Sequence, residues 1–167
     1  MSQLFSRLWV SFVLTSLILL TIYFSVYEPF QPVFTLVTSL IVGLALKEFY
    51  TICQAKGGKP LIFIGIVGSV AYLFALFLSK EGGFLGPLPS LILVAMLFSA
   101  FAYFLFEGKD PLINLAITFF GVAYLTLPLG LMITLNFEFG RSFLIYLIAV
   151  TKLTDTGAYF IGSFVGK

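Results

Sequence analysis

The segment Thr151–Lys167, TKLTDTGAYFIGSFVGK, places a lysine and an aspartate where the hydrophobic pattern still predicts a membrane span. The preceding stretch, Ser142–Val150, is continuously apolar. A helix that begins at Ser142 rises about 18 Å before Asp155, which is past the middle of a typical hydrocarbon core. An ionised carboxylate at that depth costs at least about 2.5–3.5 kcal/mol, so it needs a partner, a metal ion or a water-filled cavity. We therefore expect the chemistry of the chain in this segment.

The composition excludes a water-soluble globule. Of the 167 residues, 60% are hydrophobic and 10% are charged, whereas soluble domains carry roughly 25% charged residues. The formal net charge is only +2 and no basic run is present, so nucleic acid is not an expected partner. The absence of histidine excludes His-based acid–base catalysis and His-ligated zinc. The single cysteine, Cys53, is expected to be a small residue at a helix end rather than a reactive thiol.

Runs of about 20 apolar residues predict an all-α, polytopic transmembrane helical bundle with about six spans. Pro29 and Pro32 predict a tight turn after the first span, and Pro128 predicts a kink in the fifth. The loops are too short for a soluble domain, so residues 1–167 are expected to form a single transmembrane domain. An anchored first helix is favoured over a signal peptide, because no small-residue cleavage site follows it. The predicted spans are Leu8–Tyr27, Val33–Ile52, Leu61–Leu78, Ser90–Phe106, Leu112–Leu135 and a sixth from Ser142 onward.

The distribution of basic residues predicts that the N-terminus lies in the cytoplasm. With six spans in this orientation, seven basic residues lie at cytoplasmic helix ends and two at the opposite ends, as the positive-inside rule requires. The sixth span then ends toward the cytosol. The cytoplasmic group is Arg7, Lys47, Lys56, Lys59, Lys109, Lys152 and Lys167, and the opposite group is Lys80 and Arg141.

A helix through the last segment brings its polar residues onto one or two neighbouring stripes. These residues then line a polar groove, in which Gly162 leaves room for a bulky ligand. The alternative is an ion pair between Lys152 and Asp155 that only neutralises two buried charges. The expected groove consists of Thr151, Lys152, Asp155, Tyr159 and Gly162.

The glycines of this segment have two possible roles. Ala158, Gly162 and Gly166 are four residues apart, which favours close packing against another helix. Gly157, two residues after Asp155, could let a ligand approach the backbone. No strand precedes these glycines, so a dinucleotide-binding fold is not predicted.

The segment also resembles a motif of the phosphatidate cytidylyltransferases (CDP-diacylglycerol synthases). That family shows Asp-Ser/Thr-Gly-Ala-Tyr-Phe-x-Gly followed by Gly-Lys, and the matching residues here run from Asp155 to Lys167. Leu46–Tyr50 and the Lys56-Gly57 loop are similar to the early helices of the family. The family continues with Ser-Pro-Lys-Lys-Thr-Trp-Glu-Gly and a His-Gly-Gly…Asp-Arg…Asp signature, which this sequence does not contain. The chain therefore resembles the N-terminal part of a longer family member.

The resemblance implies a multi-pass inner-membrane enzyme that uses Mg²⁺ and CTP to convert phosphatidic acid into CDP-diacylglycerol and pyrophosphate, with a cytoplasmic active site. Asp155 is implied as the catalytic residue and Mg²⁺ ligand, and Lys152 and Lys167 as groups that offset phosphate charge. A homo-oligomer is also expected, because a partial bundle exposes helix faces. Two alternatives are a CTP-dependent lipid kinase of the polyisoprenol type and a non-enzymatic transporter or scaffold. The residues implied to shape the nucleotide or headgroup site are Thr156, Gly157 and Tyr159.

Overall fold

The structure is a computed structural model of the chain, and it describes residue 16, residues 18–107 and residues 110–165. Within these residues the chain is helical and contains no strand. Short 3-10 turns at Glu28–Phe30 and Gly83–Leu85 lead into two of the helices. The described helices are α1 (18–24), α2 (Gln31–Ala55), α3 (Ile62–Ser79), α4 (Leu88–Glu107), α5 (Pro111–Phe139) and α6 (Arg141–Val165).

Four helical stretches in the described part of the chain are long and apolar enough to cross a membrane. They correspond to the second to fifth predicted spans, so the prediction of an all-α membrane bundle is confirmed. Nine of the 20 residues of the first predicted span lie outside the described residues. The sixth is helical but is not among these stretches, and it carries Arg141, Lys152 and Asp155. The four stretches are Glu28–Ala55, Ile62–Ser79, Gly83–Tyr103 and Pro111–Phe139.

The connection between α5 and α6 is shorter than the sequence predicts. A loop is predicted over Asn136–Arg141, but α5 continues as a π-helical turn, Leu135–Phe139, and only Gly140 separates it from α6. Gly140 has φ 94°, a conformation that a residue without a Cβ adopts readily. The prediction of a loop was wrong because one glycine is enough to separate the two helices.

The three prolines with predicted roles lie in different settings. Pro29 lies in the 3-10 turn Glu28–Phe30, after the first span. Pro32 lies in the first turn of α2 rather than in a tight turn before it, and there its missing N–H has no helical partner to lose. Pro128 follows a π-helical turn, Val122–Thr126, in which the Leu127 N–H donates to the Val122 carbonyl. A proline ring crowds the carbonyl four residues earlier, which here belongs to Tyr124 inside that turn. The predicted irregularity at Pro128 is therefore a π-helical turn.

The centre of the bundle is formed by α2 and α3, with α5 packed against both and α4 packed against α3. Lipid is as apolar as leucine, so helices in a membrane associate through close packing more than through the hydrophobic effect. Gly65 on α3 provides such an approach: a Cβ there would lie 2.8 Å from Cε2 of Tyr50 on α2. Gly121 on α5 lies on the other side of the same ring, 2.8 Å from its Cε1 by the same measure. The bundle is thus built around the Tyr50 ring.

Candidate functional site

The segment singled out by sequence lies in the C-terminal half of α6. Lys152, Asp155 and Thr156 are exposed there, and Gly157 is half-buried. The backbone of Tyr159 is helical, but its side chain lies outside the described part of the structure, as does the whole of Lys167. The helix therefore places the four described residues along one and a half turns.

Three threonines make this polar stretch compatible with a helix. The Thr151 hydroxyl donates to the Leu147 carbonyl at 2.8 Å, and Thr156 donates to the Lys152 carbonyl at 2.7 Å. Thr154 makes the same bond to Val150 at 2.8 Å. Threonine hydroxyls that bond to the carbonyl four residues earlier need no partner from another helix. The three threonine hydroxyls are thus satisfied within the helix, whereas no described side chain pairs with Asp155.

The Lys152 and Asp155 side chains are three residues apart but do not form an ion pair. No described cation lies within 4.0 Å of the Asp155 carboxylate, and no described carboxylate lies that close to the Lys152 ammonium group. The alternative in which these two residues only neutralise each other is therefore not realised in this structure. Both charges remain available to a ligand.

The glycines of the segment adjoin open space. A Cβ at Gly157 or at Gly162 would meet no atom within 4 Å, and Gly166 lies outside the described residues. Among the described side chains of α6, those that pack in the core of the bundle are the buried Leu144 and its neighbour Ile148, both in the first half of the helix. The close helix packing predicted for this segment is thus not made by any described residue. The polar face of α6 has room for a ligand.

The donor chemistry of Asp155 fits a shared magnesium site. Mg²⁺ is commonly held by one or two carboxylates together with water and the phosphates of a substrate. Asp155 offers one exposed carboxylate, and no group of three His, Cys, Asp or Glu residues occurs in the described part of the chain. These residues fit an ion shared with a phosphate ligand, and they do not form a complete cage.

A second polar cluster, which the sequence reasoning missed, lies inside the bundle around Thr118. The Tyr50 hydroxyl donates to the Thr118 carbonyl at 2.8 Å, and the Leu61 N–H donates to Thr118 Oγ1 at 2.9 Å. One turn earlier, Asn114 Oδ1 accepts the Lys59 N–H at 2.7 Å. These bonds join α2, the α2–α3 loop and α5. The signal was available, because Asn114 and Thr118 are polar residues four apart in an apolar run.

Each π-helical turn of α5 also carries a polar bond to a neighbouring segment. Thr126, at the end of the first turn, pairs with Ser69 of α3 through their hydroxyls at 2.7 Å. Asn136, in the second turn, donates from Nδ2 to Ser25 Oγ at 2.9 Å. All four side chains are buried. These bonds fix the position of α5 and hold the bundle from which α6 extends.

Comparison with known proteins places the chain in a family. Residues 5–167 match the model of the cytidylyltransferase family. The chain is 26% identical over 155 residues to a phosphatidate cytidylyltransferase of Staphylococcus saprophyticus, over 92% of this chain and 58% of that protein. It thus spans less than two thirds of that relative, and no solved structure matches it. Because the family model covers nearly the whole chain, including the α6 segment, this protein belongs to the cytidylyltransferase family.

Proposed function

We propose that this chain is part of a phosphatidate cytidylyltransferase, which transfers CMP from CTP to phosphatidic acid to give CDP-diacylglycerol and pyrophosphate. The family match and the name of the staphylococcal relative support this assignment. The four apolar helices support an enzyme that works in a membrane, where its lipid substrate resides. In this proposal, residues 1–167 form the N-terminal transmembrane part of the enzyme.

The reaction is a nucleotidyl transfer whose atoms balance without a further reactant. A phosphate oxygen of phosphatidic acid attacks the α-phosphorus of CTP and forms a new P–O bond. The bond between the α-phosphorus and the bridging oxygen to the β-phosphorus breaks, and pyrophosphate leaves. Such transfers depend chiefly on positioning and on stabilising negative charge, so the lack of histidine among the 167 residues is no obstacle.

The α6 residues have distinct roles in this proposal. Asp155 would hold Mg²⁺ through its carboxylate, and the ion would supply positive charge that offsets the charge of the phosphates. Lys152 and Lys167 add positive charge beside the phosphates. Thr156, Gly157 and Tyr159 shape the site for the nucleotide or the headgroup. These assignments follow the family motif, and the exposure of Lys152, Asp155 and Thr156 is consistent with them.

The proposal rests chiefly on one observation, which is that the Asp155 carboxylate is exposed and has no ion-pair partner among the described residues. An exposed carboxylate in the second half of an otherwise apolar helix, without an ion-pair partner among the described residues, is costly unless it binds something. The open space at Gly157 and Gly162 provides the room. A purely structural helix would place apolar residues at these positions.

The test is the substitution Asp155→Asn in the full-length enzyme that contains this chain. We expect a loss of kcat/KM of at least about 100-fold with CTP, Mg²⁺ and phosphatidic acid, because a charge at the transferring phosphate is lost. Glu138→Gln, at an exposed carboxylate near the opposite end of α6, is the matched control and should change turnover less than twofold. Near-normal turnover by the Asp155→Asn enzyme would refute the ligand role. Release of CDP in place of pyrophosphate would identify a lipid kinase instead.

We also propose that the enzyme lies in the cell inner membrane with its N-terminus and active site on the cytoplasmic side. The basis is the excess of basic residues at one set of helix ends. In a Cys53→Ser background, Lys56→Cys should resist a membrane-impermeant maleimide in spheroplasts, whereas Lys80→Cys should react. The reverse labelling pattern would overturn the orientation.

A homo-oligomer is part of the same proposal, and cross-linking in native membranes would test it.

A further inference from the structure

The loop between α2 and α3 carries two lysines that the α6 site does not explain. Its sequence is Lys56-Gly57-Gly58-Lys59-Pro60-Leu61, and both lysines are exposed. Neither ammonium group lies in an ion pair with a carboxylate of the described chain. Two cations within four residues and without counter-charges are suited to an anionic ligand.

The backbone of this loop is fixed by α5. The Lys59 N–H donates to Oδ1 of the buried Asn114 at 2.7 Å, and the Leu61 N–H donates to the buried Thr118 at 2.9 Å. A Cβ at Gly58 would lie 2.7 Å from Ile117 Cδ1, so the loop lies directly against that helix. Two side chains are thus used to hold the backbone beside the lysines. Such pre-organisation lowers the ordering cost of binding.

The start of α5 adds positive potential beside the loop. The helix begins at Pro111, one turn before Asn114, and a helix N-terminus carries a positive partial charge. The described charged side chains at this end of the bundle also include Lys47, with Glu48 and Asp110 as the carboxylates. The described side chains at this end thus carry three positive and two negative charges, and the helix N-terminus adds a positive partial charge. The balance at the loop favours an anion.

The position of the loop at the membrane surface indicates which kind of anion binds there. Ala55 and Ile62, on either side of it, are the ends of two candidate spans, and only six residues connect them. A connection this short keeps its lysines at the level of the lipid headgroups. The α6 helix begins near the opposite end of the bundle, where the Arg141 guanidinium donates to the Tyr23 carbonyl, and Asp155 lies about 21 Å further along the helix axis.

We propose that Lys56 and Lys59 bind the phosphate of an anionic phospholipid headgroup at this membrane face. The inference rests on the proposed function and deepens it, since the proposed topology places this loop and the active site on the same side of the membrane. It does not require the nucleotide, because the two ammonium groups and the fixed backbone belong to the α2–α3 loop.

The test is equilibrium binding of dihexanoyl phosphatidate to the purified protein in a neutral detergent, without CTP. We expect saturable binding, and about fivefold weaker binding for each lysine replaced, or roughly 25-fold for Lys56→Gln with Lys59→Gln. Lys47→Gln removes the same charge from the same end and should weaken binding less than twofold. Equal losses in the control and in the single loop variants would show a general surface potential and would overturn the site.

A third variant separates loop geometry from charge. Asn114→Ala keeps both lysines and releases the Lys59 backbone, and we expect it to weaken binding about fivefold in protein that remains monodisperse and helical. Unchanged binding in Asn114→Ala would overturn the role of the fixed backbone. Inorganic phosphate that binds as tightly as the lipid would overturn the lipid assignment. Because CTP is absent, failure here leaves the Asp155→Asn test of the proposed function unaffected.

Discussion

The bundle of α2–α5 and the C-terminal half of α6 use the same residue types in opposite ways. In the bundle, Gly65 and Gly121 flank the buried Tyr50 ring and leave no space for a Cβ. In α6, Gly157 and Gly162 adjoin open space. The first pair brings helices together, whereas the second leaves a helix face uncovered. Glycine spacing alone therefore does not distinguish a packing surface from a ligand surface.

The polar groups differ in the same way. In the bundle, six of the nine buried polar side chains bond to another segment, as Ser69 does with Thr126, although the Thr35 and Ser39 hydroxyls have no partner there. In α6, the threonine hydroxyls bond only to their own helix. Hydrogen bonds between segments thus concentrate stability in the bundle, whereas the proposed catalytic residues lie on α6. Substitutions should therefore affect stability in the first region and activity in the second.

The largest effect on stability is expected for Gly65→Ala. Its methyl group would lie 2.8 Å from Tyr50 Cε2, and the ring cannot move away without breaking the bond between its hydroxyl and the Thr118 carbonyl. Overpacking of this kind costs about 2–3 kcal/mol of unfolding free energy. Unfolding in mixed detergent micelles, followed by loss of helicity, measures the change.

Gly43→Ala is the matched control for that experiment. Gly43 lies in α2, where a Cβ would be 3.9 Å from Ile66 Cγ2, an ordinary contact. We expect its unfolding free energy to stay within about 0.5 kcal/mol of the unmodified protein. If the two variants were equally stable, close packing around Tyr50 would not be what holds the bundle together.

A smaller effect is expected for Thr118→Val, which preserves the shape of the side chain and removes its hydroxyl. The Leu61 N–H would lose its acceptor in a part-buried position, and an unsatisfied donor costs between about 1 and 2 kcal/mol. The same unfolding assay measures the loss. Thr154→Val on α6 is the control, because its hydroxyl bonds only to the Val150 carbonyl. A loss of equal size in both variants would contradict the special position of Thr118.

A weaker effect again is expected for Ser69→Ala, at the contact between α3 and the first π-helical turn of α5. Side-chain hydrogen bonds between helices in membranes contribute about 0.6 kcal/mol on average. Ser69 and Thr126 are paired, so Thr126→Ala and the double variant complete a cycle. If the losses of unfolding free energy in the two single variants add up to the loss in the double variant, the hydroxyl pair makes no joint contribution to stability. In that case α5 is positioned by packing.

The sequence was sufficient to predict the features that depend on hydropathy, which are the all-α class and the positions of membrane spans. The all-α class and four of the spans followed from apolar runs, because a helix of about 20 apolar residues is the simplest way to cross a membrane. The family followed from the residues between Lys152 and Lys167. The boundary at Gly140 was not predicted, because π-helical turns have no periodic signature in the sequence.

The roles of Tyr50, Asn114 and Thr118 were missed for a different reason. A hydroxyl or an amide inside an apolar run must find a partner there, just as an ionisable side chain must. Which partner it finds depends on how α5 lies against the α2–α3 loop. That arrangement is a property of the packed helices and cannot be derived from the spacing of residues along one of them.

The smallest effect on stability is expected at Gly162, and it tests the contrast between the two regions most directly. A methyl group there would meet no described atom within 4 Å, and alanine favours a helix over glycine by up to about 1 kcal/mol. Gly162→Ala should therefore leave the unfolding free energy of the 167-residue chain unchanged or slightly increased. A methyl group would also narrow the predicted groove about two turns after Asp155, so turnover of the full-length enzyme should fall. A loss of stability as large as that of Gly65→Ala would mean that the face is covered in the protein, and α6 would then pack as the bundle does.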